Sequence, residues 1–270
     1  EGHGFEALPQ AIRRTARIEQ LADVPCLLIP PQGGASPTGA PMLLWLHGRT
    51  ACKELDPGRY LRLMRSGIAV CAVDLPGHGE RHGAHMDDPA RVVDIVLQMA
   101  DEIDAVTWAA IDALGVNADR VALGGMSAGG MAAIARLCLP HRFRALTLEA
   151  TSGDWSSLAS WSHLDDRARA LATERDPIRH LEGWRPLPVL AVHARGDQWI
   201  PWSGQQRFLE LLRTRGCAVQ TEVFDETGAL HEHVGFGRYA AQVKETQRAF
   251  LVHALQEQNK ATLQNIHVGQ

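Results

Sequence analysis

Ser127 lies in the run Val-Ala-Leu-Gly-Gly-Met-Ser-Ala-Gly-Gly-Met that begins at Val121, with Gly125 and Gly129 two residues to either side. An apolar strand pattern leads into this run and a small-residue helical pattern leads out. A serine on so sharp a strand-to-helix turn exposes its hydroxyl, and bulky side chains two residues away would clash there. The following helix would aim its N-terminal N–H groups at the serine, where negative charge develops during attack on an acyl carbonyl. A glycine-rich phosphate loop is the other reading of such a run. It would need a Gly-Lys-Ser/Thr ending or a G-x-G-x-x-G spacing, and neither is present.

A serine hydroxyl needs a histidine to take its proton and a carboxylate to orient that histidine. Two later strand ends supply candidates. The apolar run Pro188–His193 leads into a turn carrying Asp197, and the run Ala218–Phe224 leads into a glycine-containing loop carrying His231. His233, two residues on, is the alternative base. Asp197 could instead cap the helix after it, and Glu149 and Asp154 are rival acids at an earlier strand end. His78, His82 and His85, with Glu80 and Asp87 nearby, share one loop, but their spacing suits no helix face. No metal site and no organic cofactor are expected. Trp155, Trp161, Trp184, Trp199 and Trp202 cluster in the cap and acid turn, between the strand ending at Glu149 and the helix after Asp197. They offer an apolar wall for an acyl or aromatic group, or merely join two parts of the fold.

The elements that would position these groups alternate in type. Strands are expected at Val24–Ile29, Met42–Leu46, Ile68–Val73, Arg120–Gly124, Ala145–Glu149, Pro188–His193 and Ala218–Phe224. Most are apolar without alternation, as strands covered on both faces should be. The clearest helix follows Asp88 and Pro89, where Val92, Val96, Met99, Ile103, Val106, Ala110 and Leu114 form one stripe closed by Gly115. Others are expected over Trp202–Arg215 and from Tyr239 to about Gln258. Such alternation predicts an α/β fold with a mostly parallel sheet flanked by helices. The core would span about 24–256 as a single domain. A short helical cap would occupy about 153–185, residues 32–39 would form a polar surface loop, and 259–270 a loose tail.

Composition narrows the partners. The 270 residues are 45% hydrophobic and 21% charged, with a net charge of −4 at pH 7. This is a soluble globular profile without the basic footprint that nucleic acid requires. The apolar runs among the strand candidates, such as Met42–Leu46, are far too short to span a membrane. No charged-then-apolar segment opens the sequence, so no secretory signal is expected. Five cysteines without a CxxC pair suggest neither zinc nor a disulfide framework, and point to a cytoplasmic setting. Nothing indicates the oligomeric state.

Four ordered motifs carry a resemblance. Trp45-Leu-His-Gly-Arg-Thr-Ala-Cys-Lys-Glu54 resembles the oxyanion loop of α/β-hydrolases of the esterase and prolyl-oligopeptidase-like kind. Asp74-Leu-Pro-Gly-His-Gly79 resembles the loop after their next strand. The Ser127 turn resembles their nucleophile elbow, and Asp197-Gln-Trp-Ile-Pro201 resembles their acid turn, although Gly196 is displaced from the usual His-Gly-x-x-Asp spacing. The resemblance implies a triad of Ser127, Asp197 and His231, with the backbone N–H groups of Arg49 and Ala128 as oxyanion donors. The Arg49 side chain would stand beside that loop, to grip a polar substrate group or form a surface ion pair. His47 would be a structural hydrogen-bonding residue. The implied activity is a carboxylesterase acting on small to medium esters. A serine peptidase of prolyl-oligopeptidase type and a thioesterase or lactonase are alternatives. Dienelactone hydrolase is disfavoured, because such relatives place cysteine where Ser127 stands. A non-catalytic binding module of the same fold is the alternative from another class.

Overall fold

The computed structural model describes residues 4–33, 39–83 and 88–257. His85, Asp87, most of the expected 32–39 loop and the expected tail lie outside them. Eight strands form one sheet: β1 (Arg17–Leu21), β2 (Val24–Ile29), β3 (Met42–Leu46), β4 (Ala69–Val73), β5 (Val121–Met126), β6 (Ala145–Glu149), β7 (Val189–Ala194) and β8 (Val219–Phe224). Their order is β1-β2-β4-β3-β5-β6-β7-β8. β1 and β2 pair antiparallel, as do β2 and β4, and every later pairing is parallel. This is the mostly parallel α/β-hydrolase sheet, with one strand beyond those expected. β1 joins β2 through Ala22 and Asp23, both at positive φ (49° and 64°). That is the backbone of a tight hairpin turn, normally signalled by Asn-Gly or Asp-Gly.

The helices are α1 (Gln10–Arg13), α2 (Pro57–Arg65), α3 (Val92–Leu114), α4 (Ala128–Leu137), α5 (Asp166–Glu174), α6 (Trp202–Thr214) and α7 (Ala240–Val252), the last running into a π turn at His253–Glu257. α3 stops where the sequence indicates, with Gly115 at φ 64°. Because strand side chains alternate, Leu28, Leu44 and Cys71 pack on one face with α3, α4 and α6. Leu27, Leu43 and Val70 pack on the other with Tyr60, Leu63 and Leu251 of α2 and α7. Between β6 and β7 the chain forms 3-10 turns and the single helix α5, which is tied to α3 by Arg167 and Asp94. Among the described residues no helix is long and apolar enough to cross a membrane.

Two buried ionic networks fix what lies at the sheet's carboxyl edge. Arg59 of α2 makes a bidentate pair with Glu149 at the end of β6 (2.7 and 2.8 Å), and also bonds Asp56 and Gln247. Its guanidinium lies 3.8 Å from the centre of the Trp45 ring. On the other side Asp74, just after β4, accepts hydrogen bonds from the Lys53 N–H and Nζ (both 2.9 Å) and the Glu80 N–H (3.0 Å). Lys53 also contacts Glu54 (2.9 Å) and Glu80 (2.6 Å). Burial disfavours the Asp74 charge, but these amide donors and the ammonium outweigh it and hold the carboxyl at about 2.

Arg59→Met leaves Glu149 charged and unpaired in the interior. It should cost about 3–5 kcal/mol in denaturant unfolding, with part regained by adding Glu149→Gln. Asp74 titrates lower folded than unfolded, so its contribution is complete above its unfolded value and is lost as pH falls towards 2. The stability gap between wild type and Asp74→Asn should therefore be widest above about pH 4. It should narrow on acidification, as read by unfolding curves across that window.

Candidate active site

Ser127 occupies the single residue between β5 and α4, at φ 51° and ψ −121°. A non-glycine residue held there costs on the order of 1–3 kcal/mol, so its surroundings must impose it. The Ser127 N–H donates to the Glu149 carbonyl (2.9 Å), while its own carbonyl accepts from the Met131 N–H (2.9 Å) and the Thr151 hydroxyl (2.8 Å). The flanking glycines are explained by approach distances. A Cβ on Gly129 would sit 2.4 Å from the carbonyl oxygens of Leu46 and His47, and one on Gly125 would sit 2.5 Å from the Gly129 carbonyl carbon. The first turn of α4 thus rests directly on the end of β3. A Cβ on Gly48 would lie 3.3 Å from that of Ser127, so the loop carrying Arg49 passes against the serine. Ala128 opens α4, where first-turn N–H groups have no helical carbonyl to meet.

Asp197 follows β7 in a turn that its own carboxylate organises. Oδ1 accepts the Trp199 and Ile200 N–H groups (both 2.9 Å), leaving Oδ2 for the His233 Nδ1 at 2.7 Å. The cap-like bonding and the contact with histidine coexist, one on each oxygen. Behind it the buried His193 Nε2 donates to the Ile200 carbonyl (2.8 Å), and burial lowers its pKa and keeps it neutral. That bond closes the turn.

The histidine facing the serine is His233, not His231. His233 is buried, with Nε2 2.8 Å from the Ser127 hydroxyl oxygen. An ionised carboxylate only accepts, so Nδ1 carries the proton towards Asp197 and Nε2 accepts from the serine hydroxyl. His231 is exposed and stacks on Trp199 with ring centres 5.7 Å apart, away from the hydroxyl. The reason lies in the loop. Its chain turns at His231–Val234, with the Val234 N–H on the His231 carbonyl (2.9 Å). The Glu232 carboxylate folds back on the N–H groups of Thr227 (2.8 and 3.0 Å) and Gly228 (3.2 Å). The Arg238 N–H closes the other end on the Thr227 carbonyl at 3.1 Å. Clasped this way, the loop turns His233 inward and His231 outward.

The other expected residues separate clearly. Trp199 tilts against His233 (ring centres 4.8 Å apart) and, with Leu230 and His231, walls a cleft of about 110 Å³ beside it. Trp155 and Trp184 are buried in the main core, Trp184 edge-on to Phe208, and do not reach the cleft. Trp202 packs on His193, and the Trp161 side chain lies outside those described. Glu149 is committed to Arg59. Asp154 is committed to Arg207 (2.9 Å) and the Ser156 hydroxyl (2.7 Å), so neither faces His233. His47 links the loops as expected, donating from Nδ1 to the Gly48 carbonyl (2.7 Å) and accepting the Leu75 N–H at Nε2 (3.1 Å). His78 is buried with Nδ1 on the Pro76 carbonyl, and His82 is exposed. Among the described residues no three His, Cys, Asp or Glu side chains group to hold a metal ion. Two supports carry little mark in the sequence: His193 and the Lys53–Asp74 fastening. The only signal for either was a charged or polar residue inside, or directly after, an apolar strand.

Comparison with known proteins gives this arrangement a family. Residues 59–258 match the model of the prolyl oligopeptidase family. Esterase YjfP of Escherichia coli is 27% identical over 214 residues, covering 73% of this chain and 84% of that protein. Thiohydrolase aneE of Aspergillus aculeatus is 32% identical over 180 residues, covering 60% and 55%. Among solved structures, a puromycin-hydrolyzing peptidase of Mycobacterium tuberculosis superposes with a TM-score of 0.72 at 22% identity, over 92% of this chain but 41% of that peptidase. Esterase 2 of Thermogutta terrifontis superposes with a TM-score of 0.65 at 18% identity, covering 88% and 94%. At these identities the two structures speak for the α/β-hydrolase fold alone, while the family match covers most of the chain. The protein is a serine hydrolase and belongs to the prolyl oligopeptidase family.

Proposed function

We propose that this hydrolase is a carboxylesterase for small to medium esters, with Ser127 as nucleophile, His233 as base and Asp197 as the acid that orients it. One observation carries the reading: a single imidazole lies 2.8 Å from the serine hydroxyl and 2.7 Å from a buried carboxylate. Ser127 attacks the acyl carbonyl as His233 Nε2 takes its proton. Asp197 holds the tautomer and stabilises the imidazolium. The developing oxyanion is met by the N–H groups of Arg49 and Ala128, the first beside the serine through Gly48 and the second opening α4. His233 returns the proton to the departing alcohol, and water then releases the acid. A cleft of about 110 Å³ adjoins His233 at Trp199. The reading keeps one domain, with 153–185 as a cap, and needs no cofactor.

The family match favours a second reading, hydrolysis of a peptide bond by the same groups, and the thiohydrolase relative extends the question to thioesters. A panel of p-nitrophenyl esters of rising acyl length, with a thioester and an aminoacyl anilide alongside, separates them. Acetyl to butyryl esters should give the highest kcat/KM, and a dominant anilide rate would overturn the esterase reading. Ser127→Ala should abolish turnover and fluorophosphonate labelling; activity surviving that change refutes the nucleophile. His233→Ala should lower kcat by about 10⁴-fold or more, while His231→Ala stays within about tenfold of wild type. The reverse ranking would remove His233 from the mechanism.

A further inference from the structure

A second cavity, of about 190 Å³, lies at the opposite end of α4 from Ser127. It is bounded by the C-terminal half of α3, the last turn of α4, the first residue of β5 and the loop entering β6. It therefore opens at the amino edge of the sheet, whereas the triad stands at the carboxyl edge. α4 separates the two by its length, about 15 Å. Nothing in the mechanism uses this space.

Its lining combines two chemistries. Trp108, Ile111, Val121 and Phe143 supply apolar surface, and Trp108 is 48% exposed, so its ring face is open to a ligand. Set into this surface is His141, whose two ring nitrogens are both buried and meet no partner among the described residues. A buried polar group left so costs about 1–3 kcal/mol, which a ligand offering the missing hydrogen bond would recover. Burial, with Arg185 and Arg136 nearby and Asp104 opposing, pushes this imidazole down to about 4. At neutral pH it offers one N–H donor and one acceptor. The charge around it is also one-sided. Arg136 is occupied by Asp104 and by the carbonyls of Leu139 and Pro140. Arg142 on the rim and Arg185 behind Phe143 leave an excess of positive charge.

We propose that this cavity is a second binding site, taking a small aromatic monocarboxylate whose ring lies between Trp108 and Ile111 and whose carboxylate accepts the His141 N–H. The size suits such a ligand: an apolar cavity of roughly 150 Å³ holds one benzene ring, and the remaining space accommodates a carboxylate. Aromatic stacking on Trp108 supplies the orientation and the surplus arginine charge selects an anion.

Benzoate is the probe, titrated into the full chain after Ser127 has been capped with a fluorophosphonate and the cap verified by intact mass, so that product binding at the triad does not contribute. Should Ser127 refuse the label, the esterase mechanism fails. The titration then proceeds on uncapped protein and is read at the His141 ring resonances, so the two failures stay distinct. The expected result is saturable binding with a Kd of about 1 mM or tighter and a shift of those resonances. Benzyl alcohol, with the same ring and no charge, should bind at least about tenfold more weakly, a difference of 1.4 kcal/mol. Ile111→Trp, which fills the cavity, should abolish binding. Trp108→Ala, a change at the surface that leaves the core intact, should weaken it at least about tenfold. Absence of saturation, equal affinity for the alcohol, or affinity unchanged in Trp108→Ala would each overturn the proposal.

Discussion

The structure is organised around one close approach: the backbone of the first turn of α4 lies directly on the carbonyls of Leu46 and His47 at the end of β3. No side chain fits between them, so Gly129 has no substitute, and Gly125 must yield to Gly129 in turn. Contact at this distance draws the chain so sharply out of β5 that Ser127 is left at φ 51°. The strain is sustained because β3 and β5 are central strands, each paired on both sides and buried on both faces. The hydroxyl's exposure is thus a property of the sheet's interior packing rather than of the loop around it.

The remaining groups reach the serine on segments that carry their own internal fastening. Asp74 ties the segment after β3 to the segment after β4 through Lys53, and His47 adds a second tie by way of Leu75. Asp197 and His193 together close the turn after β7. Asp74 and Asp197 each spend one set of bonds on backbone N–H groups and keep another for a side chain, Lys53 and His233 respectively. This satisfies the requirement that polar groups taken out of water be paired. It also means that the carboxylate facing His233 has a single available orientation, because its other oxygen is already occupied by two N–H groups.

How much of this could be read from the sequence follows from the range of the forces involved. Apolar runs covered on both faces revealed six strands nearly to the residue, with the half-exposed edge strand β8 also read, and the helix ending at Gly115 was equally plain, because burial and the left-handed cap act locally. β1 was missed because its hairpin turn is Ala22-Asp23, which lacks the glycine that usually advertises such a turn. α2 was passed over despite Asp56 and Pro57 at its start, its charged surface hiding the Tyr60, Leu63 and Met64 stripe. The strained turn at Ser127 was legible since glycine spacing reports a backbone constraint directly. The choice between His231 and His233 was not: in an irregular loop no periodicity assigns a face, and the Glu232 clasp that decides it depends on amides five and four residues back. The tryptophans could not be sorted for a similar reason, since composition records an indole's presence but not whether it packs inward, as Trp155 does, or outward, as Trp199 does.

The Glu232 clasp has a bearing on how this protein can diversify. Because the hairpin-like knot from Thr227 to Arg238 is closed by its own carboxylate and backbone, His233 is held without help from Leu230, whose side chain is 94% exposed. Positions 229–231 are therefore free to drift while the contact between His233 and Ser127 stays put. A lineage could trade bulk, polarity or charge at the lip of the cleft one residue at a time, sampling new acceptable molecules without passing through an inactive ancestor.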